Sequence, residues 1–229
     1  MSLNQTKSIN SLYTNVEICD HPLCRHNLAI IRDKNTTAEV FRNAVKRLTY
    51  HLFYKATEDL ELEKTEVATP LISCEAEILK TTSNIMIVPI LRAGLIFCDV
   101  ASEIIPSATI RHIGMYRDEE TLTPVWYYNK IPIVLDHPEN NIVLILDPML
   151  ATGNSAIEAI KLFVNKKVPQ KNIKFISLIS APEGLNNVHT HYPDVKIITA
   201  NIDKELNANG YIVPGLGDAG DRIFNTFEV

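Results

Sequence analysis

From Ile85 onward the chain alternates short β-rich apolar runs with helical ones. Ile85 to Val88 precedes Leu95 to Ile105; Ala108 to Ile113 follows; Ile142 to Leu146 precedes Ser155 to Val164; Ile173 to Ile179 and Val195 to Ala200 complete the series. That alternation of short β-rich runs with helical ones is the signature of a parallel sheet covered by helices. The expected fold class is therefore α/β, a mostly parallel twisted sheet flanked by helices. Ahead of these units, Thr36 and Glu39 have capping-box spacing, and Val40, Phe41, Ala44, Val45, Leu48 and Leu52 recur at helical spacing. That pattern predicts a long helix laid on the sheet. With 229 residues, 46% of them hydrophobic, the chain can bury one good core with an appendage, so residues 1–229 are expected to form a single domain.

One stretch breaks the rhythm. Residues 116–140 carry charges, three prolines and the cluster Trp126, Tyr127, Tyr128, which suits a hairpin arm or other long excursion better than a crossover helix. Such an insertion can cover a site or join subunits. The C-terminal piece from Tyr211 is glycine-rich and has no helical or strand period, so an ordered loop is expected over about 211–226.

Charge and composition narrow the partners. Lys plus Arg number 22 against 27 for Asp plus Glu, a net charge of -5, and no basic run suited to a nucleic-acid backbone stands out. Nucleic acid is not an expected partner. The N-terminus lacks the apolar core of a secretory signal, and no stretch approaches the roughly 18 uninterrupted apolar residues of a membrane span; no membrane partner and a cytoplasmic location are expected. Cys19, Cys24, Cys74 and Cys98 are too scattered for a disulfide framework and are expected to be reduced. Cys19, His21, Cys24 and His26 are metal-ligand types, but their interleaved spacing is not that of a closed tetrahedral zinc site.

In open α/β sheets ligands collect at the carboxyl ends of the strands. Three such turns are chemically loaded. In Val88-Pro-Ile-Leu-Arg-Ala-Gly94 an apolar strand ends on Arg92, which can fork onto phosphate oxygens or simply pair with a surface carboxylate. In Ile142 to Ala156 a strand ends on Asp147, and Ala151-Thr-Gly-Asn-Ser155 leads into a helix. Backbone N–H groups there, with the Thr152 and Ser155 hydroxyls, make a phosphate cradle, and Gly153 permits the positive φ that close approach needs. An ordinary βα turn with a Ser or Thr cap is the plainer alternative. The Walker loop is excluded because no Lys precedes the Ser.

The third is Tyr211-Ile-Val-Pro-Gly-Leu-Gly-Asp-Ala-Gly-Asp-Arg222. Gly215, Gly217 and Gly220 match the dinucleotide-binding glycine pattern, but only nine residues follow, too few for the rest of that unit. What remains is a glycine-rich loop whose bare backbone can read the edge of a flat base while Asp218 or Asp221 meets a cation or a ribose. Arg117, at the start of the arm, is a second candidate phosphate clamp, with three acidic neighbours as its alternative partners. His189 and His191 are expected at the surface, and no Ser or Cys sits in a nucleophile elbow.

Together, ILRAGL, GMYRDEETL, ILDPMLATGNSA and YIVPGLGDAGDRIFNT, with the early CDHPLCRHNLAIIRD, resemble the uracil phosphoribosyltransferases in order and spacing over nearly the whole chain. The resemblance implies a type I phosphoribosyltransferase fold with a small hood, and a reaction joining uracil to 5-phosphoribosyl diphosphate (PRPP) to give UMP and diphosphate. It implies that Asp147, Pro148, Met149, Leu150, Ala151, Thr152, Gly153, Asn154 and Ser155 wrap the ribose and its 5-phosphate. By the same resemblance Arg92 and Arg117 hold the diphosphate, and Asp218 serves the donor through Mg²⁺, making these three the catalytic candidates. Ile212, Gly217, Asp218 and Ala219 are the implied uracil contacts, largely through backbone groups.

The chemistry so implied is positioning and charge stabilisation, with no side chain acting as nucleophile. The family usually has glycine where Asn154 stands; Asn tolerates left-handed backbone better than most residues, so binding is expected to survive. The acidic pair common in other phosphoribosyltransferases is reduced to Asp147 followed by Pro148. Some family members are activated by GTP and assemble as dimers or tetramers, so a GTP effector and a homo-oligomer are expectations of the resemblance alone. The rival readings are another nucleobase acceptor, which the C-terminal loop argues against, and a non-catalytic sensor of PRPP.

Overall fold

The computed structural model describes residues 14–117 and 124–226. In chain order it contains β1 (Val16–Ile18), α1 (Pro22–Arg32), α2 (Ala38–Thr57), β2 (Leu62–Ala68), β3 (Ser73–Leu79), β4 (Asn84–Leu91), α3 (Cys98–Ile104), β5 (Thr109–Ile110), β6 (Ile113–Arg117) and β7 (Pro124–Asn129). The second half adds β8 (Asn141–Leu146), β9 (Met149–Leu150), α4 (Asn154–Asn165), β10 (Ile173–Ser180), α5 (Pro182–His191), β11 (Lys196–Ile202), β12 (Glu205–Leu206), β13 (Ile212–Val213) and α6 (Ala219–Phe224).

The main sheet runs β1-β11-β10-β8-β4-β6-β7 and is parallel except for the final β6–β7 pair. The fold is the α/β class that the alternating runs predict. Successive residues of each central strand feed different cores. Ile85, Ile87, Leu144, Leu146, Ile176 and Leu178 pack with α1, α2, α3 and α6 on one face. Met86, Val88, Val143, Ile145, Ile173 and Phe175 pack with α4 and α5 on the other. All eight residues of β10 are buried, which is why its sequence shows no alternation.

From β4 the chain crosses to β5 and β6 on one side and then returns to β8 on the other, so the strand order reverses between β4 and β8. Pro89 pairs with Leu146 across this junction. The carboxyl ends of the two strands therefore lie side by side, where a crevice for a ligand forms.

Several boundaries depart from the sequence pattern. The cap of α2 is Thr37, whose Oγ1 accepts the Val40 N–H at 3.4 Å, while Thr36 Oγ1 instead donates to Ile30 O at 2.6 Å. The turn that closes α1 claims Thr36, so the expected capping box does not form. Val40 is exposed, whereas the other five residues of its stripe are buried. Leu95 belongs to a 3-10 turn, Ala93–Phe97, that precedes α3. The run Ala108 to Ile113 is split between β5 and β6.

The β6–β7 hairpin begins at Ile113 rather than Tyr116 and ends at Asn129, after which the chain returns with Ile131 and Leu135 buried. The arm's tip lies outside the described residues. The C-terminal piece is not wholly loop: β13 pairs with β12 in a small hood, and α6 follows. Six residues are too few to display a helical period, and α6 is set by its Asp218 cap instead.

The β2–β3 hairpin has no counterpart in the sequence reading. Its seven-residue strands pair fully from Leu62 with Leu79 to Ala68 with Ser73, yet almost every residue is exposed on both faces. With no buried face there is no period of two to detect. Among the described residues no helix is long and apolar enough to cross a membrane.

Candidate active site

Two glycines bring the strand-end motifs together. At the end of β4 the Leu91–Arg92 peptide is cis, and a Cβ on Gly94 would lie 2.4 Å from Leu146 O. Only glycine lets the Arg92 turn sit directly on the end of β8. Arg92 keeps a largely exposed side chain, with its guanidinium 3.8 Å from Asp221 Oδ1 and 5.7 Å from the Phe224 ring centroid. It thus stands between the β8 end and the C-terminal helix.

Beyond β8 the chain is stitched to β10. Leu178 N–H donates to Pro148 O at 2.9 Å and Ala181 N–H to Leu150 O at 2.8 Å. The Asp147 carboxylate accepts the Met149 N–H at 3.3 Å. Loss of hydration pushes the Asp147 pKa up to about 7, against a smaller opposing pull from that N–H. Gly153 takes φ 84° as the N-cap of α4 and supplies no side-chain cap. Thr152 Oγ1 accepts the Asn154 N–H at 3.5 Å, a long version of the Thr cap in the plainer reading, and the start of α4 borders a pocket of 160 Å³ lined by Asp147, Phe175 and the run from Met149 to Ala156. Helix N-terminal N–H groups at a pocket suit an anion.

The C-terminal loop is fixed by contacts that the motifs do not mark. Gly215 takes φ 64°, where a Cβ would lie 2.1 Å from Ile212 O. Its N–H donates to Asp203 Oδ2 at 2.8 Å and its carbonyl accepts from Arg32 Nη1 at 2.7 Å. Burial opposes ionisation of Asp203, but Arg32, the Gly215 N–H and Asn201 outweigh it and hold the carboxyl below the ordinary range. Buried Arg222 donates to Ile31 O, to Leu216 O at 2.7 Å and to Asp33 O at 2.6 Å, and its guanidinium lies 4.4 Å from the Phe41 ring centroid.

Of the implied uracil contacts, Ile212 and Ala219 are buried in the core, and Gly217 and Asp218 are exposed. Of these four, Gly217 and the Asp218 carboxylate are therefore the groups open to solvent. Asp218 Oδ1 accepts the Asp221 N–H at 2.9 Å. Arg117 ends β6, three residues past the Leu91–Gly114 pairing, so its backbone reaches beyond the end of β4; its side chain lies outside the described residues. Arg32, Asp203 and Arg222 escaped the sequence reading, and the only available signal was a charge set among apolar residues, as in Ala29-Ile-Ile-Arg32.

The described residues hold no cluster of three or more His, Cys, Asp or Glu side chains suited to a metal ion. Mg²⁺ needs no such cage when it arrives on substrate phosphates, and carboxylate oxygens such as those of Asp218 are the donors it prefers. The donor set therefore fits a metal carried by a diphosphate.

The mostly parallel sheet, whose order reverses beside the loop that follows β8, is a fold shared with solved phosphoribosyltransferases. Adenine phosphoribosyl transferase of Trypanosoma brucei, solved with AMP, pyrophosphate and ribose-5-phosphate, shares the fold with a TM-score of 0.52 over 82% of this chain and 84% of that one, at 12% identity. The model of the uracil phosphoribosyltransferase family matches residues 18–226, and the chain belongs to that family. The uracil phosphoribosyltransferase of Dictyoglomus thermophilum is 48% identical over 92% of this chain and 99% of its own length. That of Legionella pneumophila strain Lens is 46% identical over 93% and 97%. The AQ2163 protein of Aquifex aeolicus has a TM-score of 0.84 at 37% identity, over 93% of this chain and 100% of that one.

Proposed function

We propose that the protein transfers the phosphoribosyl group of PRPP to uracil, giving UMP and diphosphate. Family membership over residues 18–226 is the observation that carries this reading. The C1–O bond to diphosphate breaks, a uracil ring nitrogen bonds to C1, and that nitrogen releases its proton. Positive charge builds on the ribose and negative charge on the departing diphosphate, so the protein's task is positioning and charge stabilisation.

In this reading the loop from Asp147 to Ser155 wraps the ribose and 5-phosphate, supported by the positive φ of Gly153 at the start of α4 and by the pocket there. Arg92 and Arg117 hold the diphosphate. Ile212, Gly217 and Ala219 offer backbone groups to uracil, and Asp218 faces both substrates. Mg²⁺, bound through the diphosphate near Asp218, would neutralise leaving-group charge. The β6–β7 arm closes over the donor and excludes water. Arg92 and Asp147 follow adjacent strands of the main sheet, and Ile212, Leu216 and Ala219 pack in the core beneath it, which supports treating residues 1–229 as one catalytic unit; a cytosolic location is part of the same proposal.

A homo-oligomer belongs to the same proposal. An isolated two-stranded hairpin is marginal in water, and β2–β3 presents Leu71 and Ile72 at its tip, 95% and 74% exposed. Packing this hairpin on a second copy would bury them, and sedimentation of the wild type beside Leu71→Asp reads the outcome. Activation by GTP rests on resemblance alone and is tested by initial rates with and without it.

The deciding assay measures UMP from uracil and PRPP, with cytosine and adenine as competing acceptors. UMP formation with uracil alone is expected. PRPP binding without any nucleotide product would establish the sensor reading instead, and product with another base would reassign the acceptor.

A further inference from the structure

Asn187 lies on α5, outside every motif that marks the site. Its Nδ2 donates to Thr152 O at 2.9 Å and to Asn154 Oδ1 at 3.2 Å. One amide group therefore holds both residues that flank Gly153. The approach depends on Gly184, one turn earlier on the same helix face: a Cβ there would lie 2.4 Å from Ala151 O and 3.0 Å from Leu150 O. From the loop side, a Cβ on Gly153 would lie 2.9 Å from Gly184 O and 3.4 Å from Asn187 Cβ. The helix itself is anchored to the hood, where Glu183 Oε1 accepts the Leu206 N–H at 2.9 Å.

These contacts bear on how the loop presents its N–H groups. The peptide joining Thr152 to Gly153 is trans, so its carbonyl and its N–H point in opposite directions. With Thr152 O tied to α5, the Gly153 N–H points away from α5, which contributes no residue to the lining of the phosphate pocket. The second bond acts on Asn154, the residue that stands where the family usually has glycine. Its side-chain carbonyl is a dipole whose negative end would repel a phosphate at the start of α4, and Asn187 occupies it.

We propose that Asn187 is a positioning residue for the 5-phosphate loop, fixing the Thr152–Gly153 peptide and restraining the Asn154 side chain so that the backbone N–H groups stay turned to the donor. This rests on the reading of Ala151 to Ser155 as the phosphate cradle. Asn187 touches no substrate; it acts through the loop, so its loss falls on donor binding rather than on the base.

The test is steady-state kinetics of the full chain carrying Asn187→Ala, Asn187→Asp or Ser155→Ala. Both Asn187 variants are expected to raise KM for PRPP about five- to tenfold while leaving KM for uracil within twofold. Asn187→Asp keeps the shape of Asn but cannot donate, so a loss as large as that of Asn187→Ala is a result a packing role would not give. Asn187→Asp with wild-type KM for PRPP, or equal rises in both KM values with a fall in thermal midpoint, overturns the proposal. Ser155→Ala separates the two readings. If it too leaves KM for PRPP unchanged, the loop is not the phosphate cradle and both fall; if it raises KM and the Asn187 variants do not, only the role of Asn187 falls.

Discussion

Asp203 grips Arg32 through two hydrogen bonds, at 2.8 and 2.5 Å, and accepts the Gly215 N–H with the same carboxylate at 2.8 Å. One buried charge thereby ties α1, the end of β11 and the turn ahead of the base-facing loop. Asp203→Ala leaves Arg32 and the Gly215 N–H without that partner and is expected to cost about 3 kcal/mol in urea denaturation. KM for uracil should rise more than KM for PRPP. The pairing lowers the folded-state pKa of Asp203, so its contribution is present above the unfolded carboxyl value and lost as pH falls through the lower folded value. As pH falls below about 4 the wild type should therefore lose stability more steeply than the variant.

Gly94 carries the contact between the Arg92 turn and β8. In Gly94→Ala the new methyl would meet Leu146 O at 2.4 Å, with backbone on both sides of the clash, so the turn must move. A stability loss of about 1–3 kcal/mol is expected, together with a fall in kcat/KM for PRPP of at least about tenfold as Arg92 is displaced. Thermal melting and kinetics with both substrates read the two effects, and an unchanged kcat/KM would mean that the turn does not position Arg92.

The Asp147 pKa of about 7 places its titration within the working range. Because the folded state holds this proton more tightly than the unfolded chain, stability falls as pH climbs from about 4 to 7 and then levels. The ionised form can accept hydrogen bonds from ribose hydroxyls with both oxygens. The pH profile of kcat/KM for PRPP should therefore rise to a plateau above neutrality in the wild type. Asp147→Asn should remove that limb and lower the plateau; the same limb in the variant would assign the titration elsewhere.

Arg222 spends its donors on three carbonyls beneath the C-terminal loop. Arg222→Met removes them; Asp33 O keeps the Thr36 N–H at 3.1 Å, but Ile31 O and Leu216 O lose their guanidinium donor, with an expected cost of about 2–4 kcal/mol. Arg222→Lys should recover little, because an ammonium cannot span the positions that a planar guanidinium reaches. Urea denaturation of the pair checks this, and full recovery by Lys would show that charge alone is needed there.

Much of the scaffold was legible because burial leaves a pattern. Ile85 to Val88 is apolar on both faces, Ile173 to Ile179 is mostly so around Lys174 and Ser177, and Phe41, Ala44, Val45, Leu48 and Leu52 keep a helical period; each lies where the structure buries it. The turns ending in Arg92 and Asp147 were visible as polar residues and glycines closing apolar strands. The capping of α2 was misplaced by one residue because Thr36 and Thr37 offer the same hydroxyl, and only the turn after α1 decides which is free.

By itself, then, the sequence determined the parallel sheet, its covering helices and the loops at its carboxyl edge, since hydrophobic periodicity and backbone conformational preference act locally. Only the tertiary structure decided what fixes those loops: Arg32 with Asp203 across 171 residues, and Asn187 with Thr152 across 35. Such bonds join single polar groups brought together by the folded sheet, and a lone polar residue leaves no period along the chain. The exposed β2–β3 hairpin was hidden for the complementary reason that nothing in it is buried.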